Sequence, residues 1–443
     1  THCRVVWQYS TDSIFSLMLR GIGASLGFGG TPGGWISQCI THLRTIYNSS
    51  SFLTLVPMKN SIRLADGVSE YQDRLLSLAV KSSWERQLIE LPNGEFVNTV
   101  SVGDKSNPML IVAHGYGAGL GLFMHNIDAL SSRYRVHLFD WIGFGGSSRP
   151  RYPKNASPEN ATTWFLDPFH DWIQMMKRND GRSNTEKFHF MAHSLGGYLA
   201  VEYAMQYENS LEHLILVSPC GIPESLPSLD NYKSLSIQKK MRFQVYKLLW
   251  ESNLTPCHIT RVLGKNAYIS MEKASTTRGR RQQTHTVGEP IDNAGYKLVA
   301  KYIRKRFSHL SDEEIDLMSI YFYNVTVAPA SGEYALKSLL APGAIARKPL
   351  MNRMGSFETK VSFIYGDSDW MDPKAGYTLY KSLNEHARGE FVVVADAGHF
   401  VFLENPMEFN SQLLFVLNHG LRQQTSSSET TTPVESRLVK SDA

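Results

Sequence analysis

The residues in this chain most able to do chemistry are a serine, an aspartate and a histidine, each among small residues beyond an apolar run. Ser194 stands in Ala192-His193-Ser194-Leu195-Gly196, Asp369 in Gly366-Asp367-Ser368-Asp369-Trp370, and His399 in Ala397-Gly398-His399-Phe400. A serine hydroxyl is a poor nucleophile at neutral pH. It needs a base within hydrogen-bond reach and an acid that orients the base. The expected roles are Ser194 as nucleophile, His399 as general base and then acid, and Asp369 as the orienting carboxylate. Asp367 in the same loop and Asp372 nearby are its rivals.

The stretch Ala113-His114-Gly115-Tyr116-Gly117-Ala118-Gly119 supplies a second requirement. Glycines let the backbone turn so that an N–H points at developing negative charge. The expected oxyanion donors are the backbone N–H groups of Tyr116 and Leu195, with His114, Gly115, Gly117 and Gly196 as supporting residues. A phosphate cradle is the competing reading of such a turn, but no G-x-x-x-x-G-K-[ST] follows it. The loop from Asp140 to Ser148 reads as structural, and Asp140 is not assigned to catalysis.

These groups can act only if strands and turns bring them together. The apolar run from Phe188 ends at Ser194, and a helical pattern follows over 196–208. That is the layout of a nucleophile elbow, in which a sharp strand-to-helix turn lifts the hydroxyl clear. Small residues are needed two before and two after the serine because the backbone closes on itself there. Ala192 adds a methyl where glycine is commoner, so the turn is expected to be tighter. Further strands are expected at Met109–Ala113, Tyr134–Phe139, Leu211–Val217, 361–366 and 390–395, after a hairpin of Glu85–Leu91 and Phe96–Val102 around Asn93-Gly94. Helices are expected at 68–83, 121–132, 165–178, 373–386 and 406–419. Alternating strands and helices imply an α/β fold with a mostly parallel central sheet and helices on both faces. The order Ser, Asp, His along the chain is that of the α/β-hydrolase fold. A carboxylate three residues past the strand-end glycine commonly reaches the histidine there, which favours Asp369.

The chain divides into an N-terminal arm (1–67), a first core part (68–221), a mainly helical cap inserted in the core (222–355), a second core part (356–421) and a disordered tail (422–443). Its 443 residues are 42% hydrophobic, enough for a large core, and the formal charge of +4 is too mild for a nucleic-acid binder driven by bulk electrostatics. Residues 222–330 carry 16 Lys and Arg against 10 Asp and Glu. Arg278, Arg280, Arg281 and Arg304-Lys305-Arg306 form two basic clusters there, read first as solvated helix faces and second as a surface for phosphate headgroups. Four scattered cysteines form no CxxC pair, so neither a disulfide framework nor a metal site is expected. No cofactor is required. Residues 1–50 hold Arg4, Arg20 and Arg44 against the single acid Asp12, a composition shared by transit peptides and by membrane-leaning arms. No apolar run is long enough to span a bilayer.

Taken together, these motifs resemble one branch of the α/β-hydrolases. It contains the N-acyl-phosphatidylethanolamine lipase and lysophosphatidic-acid-acyltransferase-like proteins, their plant relatives and the yeast cardiolipin deacylase. The resemblance covers roughly residues 68–420. It rests on His114 to Ala118, Asp140 to Pro150, Ala192 to Tyr198, Leu214 to Ser218, Ala344 to Pro349, Phe363 to Met371 and Gly398 to Phe402. Two departures stand out. The branch usually has glycine at the position of Ala192. It also tends to carry H-x-x-x-x-D, a motif linked to acyl transfer, where this chain has His399 followed by Glu404. Glutamate keeps the charge but lengthens the arm by one methylene. That bears on transfer and not on hydrolysis, which depends on the triad.

The resemblance implies a serine acyl-ester hydrolase acting on phospholipid or lysophospholipid at a peripheral membrane or lipid-droplet surface, in the mitochondrion or the cytosol. Lysophospholipid acyl transfer from the same site is a further possibility. The alternatives are a non-catalytic lipid-surface scaffold or lipase co-activator, which the presence of Ser194 argues against, and a soluble small-ester hydrolase. Met241, Phe243, Tyr246, Leu249 and Trp250 are read as packing before they are read as an acyl groove.

Overall fold

Alternation along the strands decides which side chain serves which face of the sheet. In the computed structural model, which describes residues 61–224, scattered positions between 247 and 261, and 294–419, eight strands form the main sheet. They are β1 (Trp84–Glu90), β2 (Phe96–Val102), β3 (Met109–Ala113), β4 (Arg135–Phe139), β5 (Phe188–His193), β6 (Leu211–Val217), β9 (Lys360–Gly366) and β10 (Arg388–Val394), with β7 (Leu340–Ala341) and β8 (Ile345–Ala346) forming a separate two-residue pairing. The sheet order is β1-β2-β4-β3-β5-β6-β9-β10. β1, β2 and β4 pair antiparallel, and every pairing from β4 to β10 is parallel. The chain therefore has the α/β-hydrolase fold, with a mostly parallel sheet.

Every residue of β3, β4 and β5 is buried, as in strands covered on both faces; β3 is a continuous apolar run, while β4 and β5 also bury Arg135, His137, His189 and His193. Ile111, Phe190, Leu214 and Phe363 face one core, shared with helices Pro158–Asn179, Leu195–Tyr207 and Pro373–Ser382. Their neighbours Leu110, Val112, Met191, Ile215 and Ile364 face the other, against helices Ser61–Ala79 and Pro406–His419. This is the period of two that a pleated strand imposes.

The helix expected over 121–132 is broken in two. A tight turn covers Leu120–Phe123 and a short helix Ile127–Ser131. Tertiary contacts claim the residues between. Gly121 N–H donates to the Tyr321 hydroxyl at 3.2 Å, and Asn126 Nδ2 donates to the Phe402 carbonyl at 2.9 Å. A Cβ on Gly119 would lie 2.2 Å from the Tyr321 hydroxyl. The helix expected at 165–178 instead begins at Pro158, because Ser157 caps it by accepting the Asn160 N–H at 3.2 Å and Pro158 fits its first turn. The short helix Val401–Glu404 has no periodic signal in the sequence to reveal it.

Within 222–355, helices Ala294–Arg306 and Asp312–Val327 lie on the second core. Val299, Ile303, Phe307, Met318 and Tyr321 share a cluster with Leu75, Leu120, Phe123 and Phe402, so this part of the insertion has no separate core. Ser311 and Glu314 form a capping box at the start of the second helix. At its other end, Arg149 donates to the Val325 and Pro329 carbonyls, and Arg261 to those of Thr326 and Ala328. Two guanidinium groups thus meet the negative end of that helix. Among the described residues no helix is long and apolar enough to cross a membrane. Most of the arm, the tail, Met241, Phe243, Tyr246, Leu249, Arg278, Arg280 and Arg281 lie outside the described residues.

Candidate active site

The loops that leave the C-terminal ends of β3, β5, β9 and β10 carry the candidate residues, on the side of a parallel sheet where such loops build sites. Ser194 follows β5 directly, with φ +54° and ψ −118°, and helix Leu195–Tyr207 begins at the next residue. A left-handed φ at a residue with a Cβ costs on the order of 1–3 kcal/mol, so the surroundings must enforce it. They do so by close approach. A Cβ on Gly115 would sit 2.8 Å from Ser194 Cβ, and one on Gly196 would sit 2.4 Å from the His114 carbonyl oxygen. Ala192 is fully buried and is accommodated in the strand. The Ser194 backbone is tied as well, its N–H donating to Val217 at 3.0 Å and its carbonyl accepting from Cys220 at 3.2 Å.

His399 meets both expected partners. Its Nε2 lies 3.0 Å from Ser194 Oγ, and its Nδ1 lies 3.1 Å from Asp369 Oδ1. The three rival carboxylates of the 366–372 loop have separate partners. Asp369 Oδ1 also accepts the Met371 N–H at 2.9 Å. Asp367 accepts the backbone N–H groups of Asp396 and Ala397 at 3.1 and 3.3 Å. Asp372 caps helix Pro373–Ser382 through the Lys374 N–H at 3.0 Å. His399 is also packed between aromatic rings, with the Trp370 centroid at 4.5 Å and the His193 centroid at 4.7 Å.

The glycine-rich loop after β3 is fixed by one histidine. Trp141 N–H donates to His114 Nε2 at 3.1 Å, which leaves Nδ1 to carry the proton and donate to the Gly115 carbonyl at 2.7 Å. Burial pushes the His114 imidazole below its ordinary range and keeps it neutral in that tautomer. Trp141 Nε1 holds the His114 carbonyl at 3.0 Å. Asp140 accepts N–H groups from Leu120 and Gly146, each at 2.7 Å, and the Asn98 amide, also at 2.7 Å. The two expected oxyanion donors follow Gly115 and Ser194, the pair brought into contact here. The Leu195 amide also lies in the first turn of its helix, where N–H groups have no intrahelical acceptor. A Cβ on Gly117 would lie 4.0 Å from Cys257 Sγ. The buried Cys220 and Cys257 thiols are pushed up to about 12 and are not competing nucleophiles.

Three neighbours complete the site without any signal in the sequence. His193 Nε2 donates to the His399 carbonyl at 2.9 Å. Arg306, which reads in the sequence only as part of a basic cluster, pairs with Glu404 at 2.7 Å. His309 Nε2 donates to the Leu403 carbonyl at 2.9 Å. A histidine next to a serine and an arginine in a charge run have many uses, so no local pattern marks them. Among the described residues no group of His, Cys, Asp and Glu is arranged to hold a metal ion.

Comparison with known proteins bears on the fold and the family. The model of the α/β hydrolase fold family matches residues 108–406. An Arabidopsis thaliana 1-acylglycerol-3-phosphate O-acyltransferase is 31% identical over 388 residues, covering 83% of this chain and 85% of the relative. A human (lyso)-N-acylphosphatidylethanolamine lipase is 27% identical over 330 residues, covering 73% and 83%. Among solved structures, a bacterial membrane phospholipase A superposes with a TM-score of 0.51 at 16% identity, covering 87% of this chain and 99% of that one, which speaks to the fold alone. From the elbow, the order of the strands and these relatives, the chain belongs to the α/β hydrolase fold family, in the branch of lipid acyltransferases and lipases.

Proposed function

We propose that this protein is a serine acyl-ester hydrolase acting on phospholipid or lysophospholipid. The observation that carries the reading is the continuous relay from Ser194 Oγ through His399 to Asp369, at 3.0 and 3.1 Å. The names of the relatives direct it toward glycerolipid esters. Ser194 Oγ attacks the acyl carbonyl while His399 Nε2 takes its proton. The amides of Tyr116 and Leu195 receive the oxyanion. As the tetrahedral centre collapses, His399 returns the proton to the departing glyceryl oxygen, and the acyl group stays on Ser194. Water repeats the sequence and frees a fatty acid. Long-chain lipid esters do not leave their aggregate readily, so the site works at a membrane or lipid-droplet surface.

A second reading is acyl transfer, favoured by the name of the Arabidopsis relative. It needs only a lysolipid hydroxyl in place of water at the acyl-enzyme, so the exclusion of water decides the balance.

The test is product analysis on mixed phospholipid vesicles, with and without a lysophospholipid and an acyl-CoA, for wild type and Ser194→Ala. Fatty-acid release lost in the variant supports hydrolysis, and a new diacyl product lost in the variant supports transfer. Release from soluble short-chain esters alone points to a small-ester hydrolase. Vesicle binding without any turnover by a folded protein overturns the enzymatic reading in favour of a scaffold.

A further inference from the structure

His399 sits in a loop, and a loop histidine holds its angle only if its backbone is held. Both peptide N–H groups that flank it donate to a single carboxylate. Gly398 N–H reaches Glu404 Oε2 at 2.9 Å, and Phe400 N–H reaches Glu404 Oε1 at 3.0 Å. Glu404 is fixed in turn by Arg306, whose Nη2 donates to Oε1 at 2.7 Å. A Cβ on Gly398 would lie 2.6 Å from Arg306 Nη2 and 3.1 Å from Glu404 Oε2, so the carboxylate and guanidinium fit closely over that glycine. Two further contacts from the same insertion point the same way. His309 holds the Leu403 carbonyl, and the Phe307 ring lies 5.5 Å from that of Phe400.

We infer that Glu404 is a positioning residue for His399, and that Arg306 ties this brace to the inserted segment. The inference rests on the hydrolase reading and deepens it. Glu404 occupies the position that the family resemblance links to acyl transfer. Here its oxygens are engaged by two backbone amides and a guanidinium, so it acts through His399. Charge-assisted bonds of this kind are short and directional, and two of them straddling one residue restrain its φ and ψ. The extra methylene of glutamate is part of the fit. An aspartate on the same backbone would reach less far toward the paired amides.

The test combines steady-state kinetics on a soluble short-chain ester with the low-field proton signal of the His399 Nδ1–H···Asp369 bond, assigned by its loss in His399→Gln. Glu404→Gln is expected to lower kcat roughly 10- to 100-fold, the scale of a misplaced catalytic group, with KM held within about twofold. The low-field signal should shift or broaden. Arg306→Gln should lower kcat roughly 3- to 10-fold by loosening the same carboxylate, and Glu404→Asp should fall between wild type and Glu404→Gln. The exposed neighbour variant Arg304→Gln serves as a control and should match wild type. If Glu404→Gln does not fold, Glu404→Asp and Arg306→Gln carry the decision. Wild-type kcat together with an unchanged signal in the variants overturns the inference, as does absence of the signal from folded wild type. If wild type hydrolyses no ester, the hydrolase reading fails, while the proton signal still decides whether Glu404 positions His399.

Discussion

Among the described residues there are two Ser–His–Asp relays of nearly the same dimensions, one at the C-terminal ends of the parallel strands and one across β2 and β4. In the first, His399 lies 3.0 Å from Ser194 and 3.1 Å from Asp369. In the second, His137 Nδ1 lies 2.7 Å from Ser101 Oγ and His137 Nε2 lies 2.8 Å from Asp180. If distance alone made a triad, the second would be the better one. The difference lies in what surrounds each serine. Ser194 sits on a left-handed turn, with a free-standing helix N-terminus after it and Gly115 pressed against it. Ser101 sits on extended β2, flanked by Glu85 of β1 and His137 of β4, inside a ladder of three strands. No turn there lifts its hydroxyl, and the neighbouring amides belong to a sheet. Asp180 is also shared. Arg135 approaches it at 3.1 Å, so the carboxylate neutralises a guanidinium as well as facing a histidine. In the proposed function the first relay meets the substrate carbonyl, whereas the second fastens the end of helix Pro158–Asn179 to β2 and β4. A triad is defined by roles and approach as much as by contact.

Variants can break this contrast or sharpen it. The largest expected effect is Ser194→Ala, which should lower ester hydrolysis by roughly 10⁴-fold or more with the fold retained, measured by initial rates and circular dichroism. Comparable loss in Ser101→Ala, with the protein folded, would reverse the roles assigned here. Next, Asp369→Asn should reduce kcat by about 10⁴-fold, because the amide stabilises the wrong histidine tautomer. Asp367→Asn should have a much smaller effect, since Asp367 braces the 396–397 backbone. Equal losses from the two would remove the distinction between them.

In the second relay the expected signature is stability. Asp180→Ala strands Arg135 and His137, and breaking a buried ion pair costs about 3–5 kcal/mol. The urea midpoint should fall steeply, while kcat of the folded fraction stays near wild type. Ser101→Ala removes a single buried hydrogen bond and should cost about 1 kcal/mol.

The smallest effect is a pH slope. Burial lowers the imidazoles of His137, His189 and His213, the last two to about 4 and about 3. In the unfolded chain they bind protons below about pH 6.5, and in the folded chain they do so only at lower pH. The unfolded state therefore holds more protons in that window, and stability declines as the pH falls from about 6.5 toward about 4. Asp180, burial raising its carboxyl and the His137 and Arg135 contacts pulling it down further to about 2, works in the same direction at lower pH. Its contribution is present above the ordinary carboxylate range and is lost as pH falls through about 2. Thermal midpoints that stay flat from neutral pH to about pH 5 would contradict this account.

The two relays also show why part of the molecule is legible in the amino-acid sequence alone. Ser194, His399 and the Gly115 turn are readable because each lies where an apolar run ends among small residues, and that pattern is local. Met109–Ala113 and Leu211–Val217 are readable to the residue for the same reason. The single helix expected at 121–132 does not form because its amides and side chains are taken up by Tyr321 and Phe402, both far away in sequence. Only its offset from Gly366 favours Asp369 over Asp367 and Asp372 in the sequence. The structure separates the three by what each carboxylate accepts.

The amino-acid sequence by itself determined the elbow, the alternation of strand and helix, and the placing of Ser194, Asp369 and His399 in that order after strand ends, since these follow from short-range sterics and hydrophobic period. Only the tertiary structure decided which Ser–His–Asp set meets an oxyanion turn, and that Arg306 of the insertion reaches Glu404 beside His399, 98 residues away. Such choices depend on where whole elements pack. That is set by the summed burial of many side chains, and no local pattern around the reacting residues records it.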